Sequence, residues 1–371
     1  MKVLHVITSI VRGGAENHLA SLAIGQAQQN IQVTIAYLKE VPYWAETLNI
    51  KNICIYSLDM RYYGDLQPLL KLKTLINRLQ PDIIHAHLPP AELYTRMALL
   101  GIPPSNIPLV ISKHNEGNFY NGLGHRYIAS WVAKRANYVI AISDAVKINQ
   151  CINYLGCPPE KVTTIYYGID PTPYQNISRE EIQKTRSGWA VNDDTYVIGT
   201  VARLVPQKAL HILLEGFSLY LQNTNKPTKL VIVGSGALES DLKKQTIDLG
   251  IQNQVVWAGF REDIPVIMNA LDLFALTSEY EGLGLVLLEA MCASKPVVAS
   301  RISAIPEVVS DGKTGILFTP KDVLALAKAF KYLENEETRW QFGSAGNEKV
   351  RKNFTLEKMA EQTIEVYNAC I

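Results

Sequence analysis

Short β-branched, apolar runs alternate with stretches of helical period along almost the whole chain, and this alternation narrows the possible folds more than any other feature. In the first half the runs Lys2–Ile7, Gln32–Tyr37, Ile53–Ser57, Ile83–Ala86, Leu109–Ser112, Tyr138–Ile142 and Val162–Ile165 read as strands. Helical patterns such as Glu16–Gln29 and Leu66–Leu79 lie between them. Repeated βαβ units build parallel sheets with helices on their faces. Gly168-Ile-Asp-Pro-Thr-Pro breaks the pattern, and the polar stretch Gln175–Asp194 reads as a linker. The pattern then restarts with Tyr196–Thr200, Lys229–Val233, Val255–Trp257, Leu271–Ala275 and Val297–Ala299. Two such series predict an α/β protein of two Rossmann-like domains, residues 1–172 and 173–353, facing a cleft. Ligands of open α/β sheets bind beyond the carboxyl ends of the strands, so the cleft is the expected site.

Size and composition agree with two cores. The chain has 371 residues, 47% of them hydrophobic, which suits two globular domains and not a disordered chain. With 36 basic and 35 acidic residues the net charge is +1, so no global electrostatic attraction to nucleic acid is expected. The five cysteines (Cys54, Cys151, Cys157, Cys292, Cys370) are scattered and form no Cys-x-x-Cys pair. They read as reduced structural thiols of a cytoplasmic protein. The start, Met1–Ile7, is too soon interrupted by Arg12-Gly13-Gly14 for a secretory signal. No run approaches the roughly 18 apolar residues that a membrane span needs. Membrane contact is therefore expected to be peripheral at most, at the inner face.

The densest chemical information lies at residues 278–298, Ser-Glu-Tyr-Glu-Gly-Leu-Gly-Leu-Val-Leu-Leu-Glu-Ala-Met-Cys-Ala-Ser-Lys-Pro-Val-Val. A turn bearing Glu281, Gly282 and Gly284 runs into an apolar helix whose second turn carries Glu289. Glycines at a helix start allow close backbone approach, and the free N–H groups there attract anions. Carboxylates on either side of such a site would repel a phosphate but accept hydrogen bonds from hydroxyls flanking a diphosphate. A sugar on one side and a ribose on the other would meet that need, which outlines a nucleotide-sugar site.

Other candidates follow strand ends. Arg203 and Lys208, separated by a loop containing Pro206, supply two cations for a diphosphate and for charge developing on a departing nucleotide. Gly234-Ser-Gly236 lacks the third glycine of a dinucleotide fingerprint, which argues against NAD. Arg12-Gly13-Gly14-Ala15-Glu16 joins the first strand to its helix; it serves as a tight turn or brings a helix N-terminus to a phosphate or acceptor. His114 and Asn115 lie just past a strand end. In Ile-Ile-His85-Ala-His87-Leu one histidine is expected in the core and the other toward the cleft. A His-x-His metal site lacks obvious further ligands, and no Asp-x-Asp pair occurs. No metal or cofactor is expected.

Taken together, the Glu281-x7-Glu289 run resembles the C-terminal-domain motif of the retaining family-4 glycosyltransferases, which have the GT-B fold. Val201-Ala-Arg203-Leu-Val-Pro-Gln-Lys208 resembles that family's diphosphate clamp. Val233-Gly234-Ser-Gly236 and Trp257-Ala-Gly259-Phe260 look like its strand-end turns. Pro306-Glu307-Val-Val and Asp311-Gly312-Lys-Thr-Gly315 look like its closing loops, and the resemblance spans almost the whole chain. It implies that the final helix, residues 354–371, crosses back to the first domain, which would bind the acceptor, while the second binds the donor. It places Glu281 on sugar hydroxyls and Glu289 on the ribose. The backbone around Gly282, Leu283, Gly284 and Leu285 would meet phosphate oxygens, Phe260 and Arg261 would line the base pocket, and Gly14 and Gly234 would border the donor. His114 would contact the transferred sugar, and Arg12, Gly13 and Asn115 would face the acceptor.

The chemistry so implied is metal-independent transfer of a sugar from a nucleoside diphosphate, UDP favoured and GDP next, to a hydroxyl of a glycan, glycolipid or small molecule. Retention follows from the family alone, with front-face substitution in which the leaving phosphate takes the acceptor's proton. Two alternatives share the pocket: a nucleotide-sugar epimerase and a non-catalytic nucleotide-sugar-binding subunit. The chain departs from the pattern where glycine is usual, with Ala209 after the clamp lysine, Ser294 before Pro296 and Ser303-Ala304 before Pro306-Glu307. Leu283 replaces a phenylalanine. Tyr62-Tyr63-Gly-Asp65, Arg126–Trp131 and Lys134-Arg135 form either an aromatic, basic surface for a lipid-linked acceptor or ordinary solvated helix faces.

Overall fold

A computed structural model describes residues 1–11, 13–40, 43–100, 107–115 and 124–371. The chain forms two compact units, Met1–Gly168 with Thr355–Ile371, and Ile169–Phe354. The division falls after Gly168, four residues before the boundary read from the sequence.

The first unit holds a seven-stranded sheet of β1 (Lys2–Ile7), β2 (Gln32–Tyr37), β3 (Ile53–Ser57), β4 (Ile83–His87), β5 (Leu109–Lys113), β6 (Tyr138–Ala141) and β7 (Val162–Thr164). Its order is β3-β2-β1-β4-β5-β6-β7, and every pairing is parallel. His5 stands opposite His85, and His87 opposite Ser112. Side chains alternate across a strand, so Val3, His5 and Ile7 share a face with His85, His87, Val110 and Ser112. The helix Gly14–Gln28 and the C-terminal helix Leu356–Cys370 cover that face, their Leu19, Leu22, Met359, Ala360 and Tyr367 joining one core with Val3, Ile7 and Val110. The two helices approach closely at Gly25, where an added Cβ would lie 3.1 Å from that of Ala360. Thr355 caps the C-terminal helix by accepting from the Lys358 N–H at 3.2 Å. That helix belongs to the first unit although the whole second unit precedes it.

The second unit has six parallel strands, β8 (Tyr196–Val201), β9 (Thr228–Val233), β10 (Val255–Gly259), β11 (Leu273–Leu276), β12 (Val297–Ser300) and β13 (Gly315–Phe318). Their order is β10-β9-β8-β11-β12-β13. Ile198, Leu230, Ile232, Leu273 and Val298 pack with Leu213, Phe217 and Phe330 to form its core.

Two corrections concern this unit. The stretch read as a linker holds the helix Arg179–Gly188, opened by a capping box in which Ser178 and Glu181 exchange hydrogen bonds. Arg186 ties the helix to the unit through the carbonyls of Ala270 and Thr195. Its polar composition reflects an exposed face, while the Ser178-x-x-Glu181 spacing is a helix-start signal. The strand β13 is absent from the sequence reading, because a four-residue run after a glycine turn carries little periodicity.

Candidate active site

In each sheet the strand order reverses direction between two neighbouring strands, β1 and β4 in the first unit, β8 and β11 in the second. The carboxyl ends of such strands flank a crevice, the usual ligand position in open α/β sheets. In the second unit the Arg203–Lys208 loop leaves β8 and the Thr277–Gly284 loop leaves β11, so residues 73 positions apart are brought together. Polar bonds join the two loops. Thr277 Oγ1 donates to the Lys208 carbonyl at 2.9 Å, and the Glu279 N–H donates to the Gln207 carbonyl at 2.8 Å. Gln207 Nε2 donates to the Tyr280 carbonyl at 2.9 Å.

At the centre of these bonds Lys208 Nζ meets Glu281 Oε1 at 2.5 Å, and Ser278 Oγ donates to the same oxygen at 2.6 Å. Glu281 is buried, and its Oε2 makes no hydrogen bond among the described residues. Arg203 is exposed, and its guanidinium has no partner among the described residues. One cation is thus held in place by the carboxylate while the other stays available to an anion.

Gly284, at φ 84°, opens the helix Leu285–Cys292, which has no side-chain cap. The N–H groups of a first helical turn lack intrahelical acceptors and carry the positive end of the dipole. Leu283 is fully buried, so only its backbone is available to a ligand. Glu289, half-buried on the same helix, hydrogen-bonds the Tyr174 hydroxyl; burial, reinforced by the Glu289 charge, pushes the Tyr174 pKa up. Tyr174 is a neighbour of the site that sequence reading did not single out.

Gly234 has a structural reason of its own. It sits at φ 131°, and a Cβ there would come within 1.9 Å of the Ala202 carbonyl oxygen, so it serves the close packing of the clamp loop. Phe260 is exposed, and Arg261 is held by Asp263 through bonds of 2.8 and 2.5 Å, which leaves its backbone for a ligand.

In the first unit His114 is buried at the end of β5. Both its ring nitrogens are engaged, Nδ1 with the Tyr167 hydroxyl at 2.7 Å and Nε2 with His87 Nδ1 at 3.3 Å. His85 and His87 do not divide between the inside and the outside of the unit. Residues two apart on a strand share a face, and both are buried. His5 comes beside them from β1, and the three imidazoles place one nitrogen each within 4.8 Å of one another. That is a third ligand-type residue for the His-x-His pair which the sequence alone did not connect. His18 stacks on Tyr167 at 4.4 Å, and its Nδ1 is buried with no hydrogen bond among the described residues.

Burial keeps these rings neutral. Desolvation lowers His5 to about 4, against the raising effect of a Gln26 hydrogen bond, and desolvation together with the Lys113 charge lowers His114 to about 3. His18, His85 and His87 are lowered well below their ordinary value, chiefly by desolvation. Lys113 pairs with Glu92 in the interior. Gly13 is extended before the first helix, where a Cβ would press on the Glu16 carboxylate, whereas Gly14 has open space around it. Asn115 is exposed, and Arg12 lies outside the described residues.

Two parallel-sheet Rossmann-like halves with these loops define a GT-B glycosyltransferase. Residues 12–172 match the family described as Glycosyltransferase Family 4, and residues 181–349 match Glycosyl transferases group 1. The two matches follow one another along the chain and together span most of it. It is 31% identical over 233 residues to an uncharacterized glycosyltransferase of Methanocaldococcus jannaschii, spanning 62% of this chain and 59% of that one. It is 25% identical over 312 residues to the UDP-Gal:alpha-D-GlcNAc-diphosphoundecaprenol alpha-1,3-galactosyltransferase of Escherichia coli, covering 82% and 79% of the two chains. Among solved structures, HepE of Anabaena in complex with UDP and glucose superposes with a TM-score of 0.85 at 27% identity, over 100% of both chains. The same protein has been solved with UDP-glucose, at a TM-score of 0.83.

Proposed function

We propose that the chain transfers a hexose from a UDP-sugar to an acceptor hydroxyl, with retention at the anomeric carbon and without a metal ion. The observation that carries this reading is the half-buried Lys208 held by the buried Glu281 and Ser278 beside the uncapped helix start at Gly284, with the guanidinium of Arg203 uncommitted. Lys208, Arg203 and the first-turn N–H groups neutralise a diphosphate. Glu281 Oε2 accepts from a sugar hydroxyl while Oε1 keeps Lys208 in place. Glu289 and Tyr174 receive the ribose, and the backbone at Phe260 and Arg261 meets the base. The bond from the anomeric carbon to the diphosphate oxygen breaks as the acceptor oxygen bonds to that carbon. The acceptor's proton passes to the departing phosphate, whose charge the two cations stabilise. A UDP donor is supported by the UDP complexes of HepE and by the UDP-Gal named for the Escherichia coli relative.

Calorimetry with UDP, GDP and ADP, with and without magnesium, tests the donor assignment. UDP is expected to bind in the absence of magnesium. Lys208→Ala should weaken it roughly 10- to 100-fold, the scale of a lost charged hydrogen bond. Glu281→Ala should abolish transfer and leave UDP affinity within a few-fold. Unchanged turnover in both variants would overturn the roles given to this pair.

For the acceptor we favour a saccharide or lipid-linked hydroxyl met at an anionic membrane surface. Among the described residues no helix is long and apolar enough to cross a membrane. Tyr62, Tyr63, Leu70 and Tyr127 are exposed on the first unit, with Lys134 and Arg135 exposed nearby in sequence. Part of the basic surface is committed elsewhere, since Arg126 donates to the Tyr154 carbonyl and Arg135 lies over the Trp131 ring. Sedimentation with phosphatidylglycerol vesicles decides the point, and no salt-sensitive binding would remove the membrane from the reading.

A further inference from the structure

A hydrogen-bonded chain of side chains runs through the covered face of the first unit. From Tyr167 it passes to His114, His87 and His5, through bonds of 2.7, 3.3 and 3.0 Å. His5 Nε2 then meets Gln26 Oε1 at 2.8 Å, and Gln26 Nε2 donates to the Tyr367 hydroxyl at 3.2 Å. That hydroxyl reaches His85 Nδ1 at 2.6 Å, and His85 Nε2 reaches Ser112 Oγ at 2.8 Å.

Each link needs one proton, and a neutral imidazole carries only one. The Gln26 carbonyl oxygen can only accept, so His5 is protonated at Nε2 and bare at Nδ1. His87 must then donate from Nε2, and His114 from its own Nε2, leaving His114 Nδ1 bare to accept from Tyr167. On the other branch Tyr367 accepts from the amide and keeps its own proton for His85 Nδ1. Turning the Gln26 amide over would reverse every link from His5 to Tyr167, because any mixed arrangement along those imidazoles leaves one link with two protons or none. The rings have no solvent to soften that conflict, and all of them are neutral near pH 7 because burial disfavours their charged forms.

We propose that Gln26 is a positioning residue for the transfer reaction: through His5 and His87 its amide selects the tautomer of His114, and with it the direction of the His114–Tyr167 hydrogen bond. With the Gln26 oxygen toward His5, Tyr167 points its proton inward to His114. In the reversed orientation Tyr167 would accept from His114 and turn its proton toward any hydroxyl bound beside it. The consequence for transfer rests on the reading of His114 as a group facing the sugar, whereas the tautomer coupling does not.

The test uses the full chain labelled with nitrogen-15 histidine, with ring tautomers read by two-bond proton–nitrogen correlation and His114 assigned through His114→Gln. The wild type should show His5, His87 and His114 protonated at Nε2. Gln26→Met should give a mixed His114 population, with kcat down roughly tenfold and the donor KM little changed, the scale of one misdirected hydrogen bond. Tyr367→Phe frees the amide from its other end and should also mix the tautomers, which covers the case where a Gln26 variant does not fold. An unchanged His114 tautomer in a folded Gln26→Met or Tyr367→Phe protein overturns the coupling. A mixed tautomer with unchanged kcat overturns the positioning role. A wild type that binds no nucleoside diphosphate sinks the donor reading, and the tautomer spectra then decide the coupling alone.

Discussion

At the residue scale, the places where glycine is usual in the family are informative because the backbone keeps the glycine conformation without the glycine. Ala209 (φ 44°), Ser294 (φ 54°) and Ser303 (φ 46°) all lie in the left-handed region. A Cβ there crowds the following carbonyl, at a cost of about 1 kcal/mol or more per residue. Ser294 is exposed, so its side chain contributes little packing to offset that strain. Ser294→Gly should therefore stabilise the second unit by about 0.5–1 kcal/mol, a rise of roughly 1–4 °C in Tm by thermal melt. A lower Tm would mean that the serine makes contacts outweighing the strain. The motif residues themselves were legible in the sequence. Their partners were less so: Ser278 stands three positions before Glu281, whereas Tyr174 meets Glu289 from more than a hundred positions away.

At the element scale, most strands were readable within one or two residues because alternating βα patterns are strong local signals. The misreadings have particular causes. The helix Arg179–Gly188 was hidden by its polarity despite its capping box, and β13 by its brevity. The C-terminal helix shows what sequence pattern does not carry, since its amphipathic period says that one face is covered but not by what. Its fit on the first helix depends on the small residues Gly25 and Ala360. Ala360→Leu should force the two helices apart and destabilise the first unit by about 1–3 kcal/mol, as overpacked cores do. Urea denaturation measures this, and an unchanged midpoint would show that the contact has slack.

For the whole molecule, the histidines are unevenly divided. Six of the seven fall in the first unit, and only His211 in the second. A buried imidazole with a depressed pKa binds fewer protons folded than unfolded, so its contribution is intact above the unfolded value near 6.5 and is lost as pH falls below it. The window runs from 6.5 down to about 4 for His5 and to about 3 for His114. Each such ring adds up to about 1.4 kcal/mol per pH unit within its window. Scanning calorimetry between pH 8 and pH 5 should show the first unit's transition flat above pH 7 and falling steeply below 6.5, with the second unit's moving less. A first-unit transition insensitive to pH would mean that these rings are not buried neutral in solution.

The sequence by itself determined that this is an α/β chain of two parallel-sheet halves, and which strand-end residues carry cations, carboxylates and glycines. Those are local properties, written in periodicity and spacing. Tertiary structure decided which of them meet. Glu281 holds Lys208 because β8 and β11 are neighbours across the reversal in strand order. His5, His85, His87 and His114 form one chain because strand register and alternation place them on a single covered face. Gln26 and Tyr367 complete it from two helices 341 positions apart in sequence. Hydrogen bonds between such distant residues depend on how sheets and helices pack, and no local pattern in the chain encodes that packing.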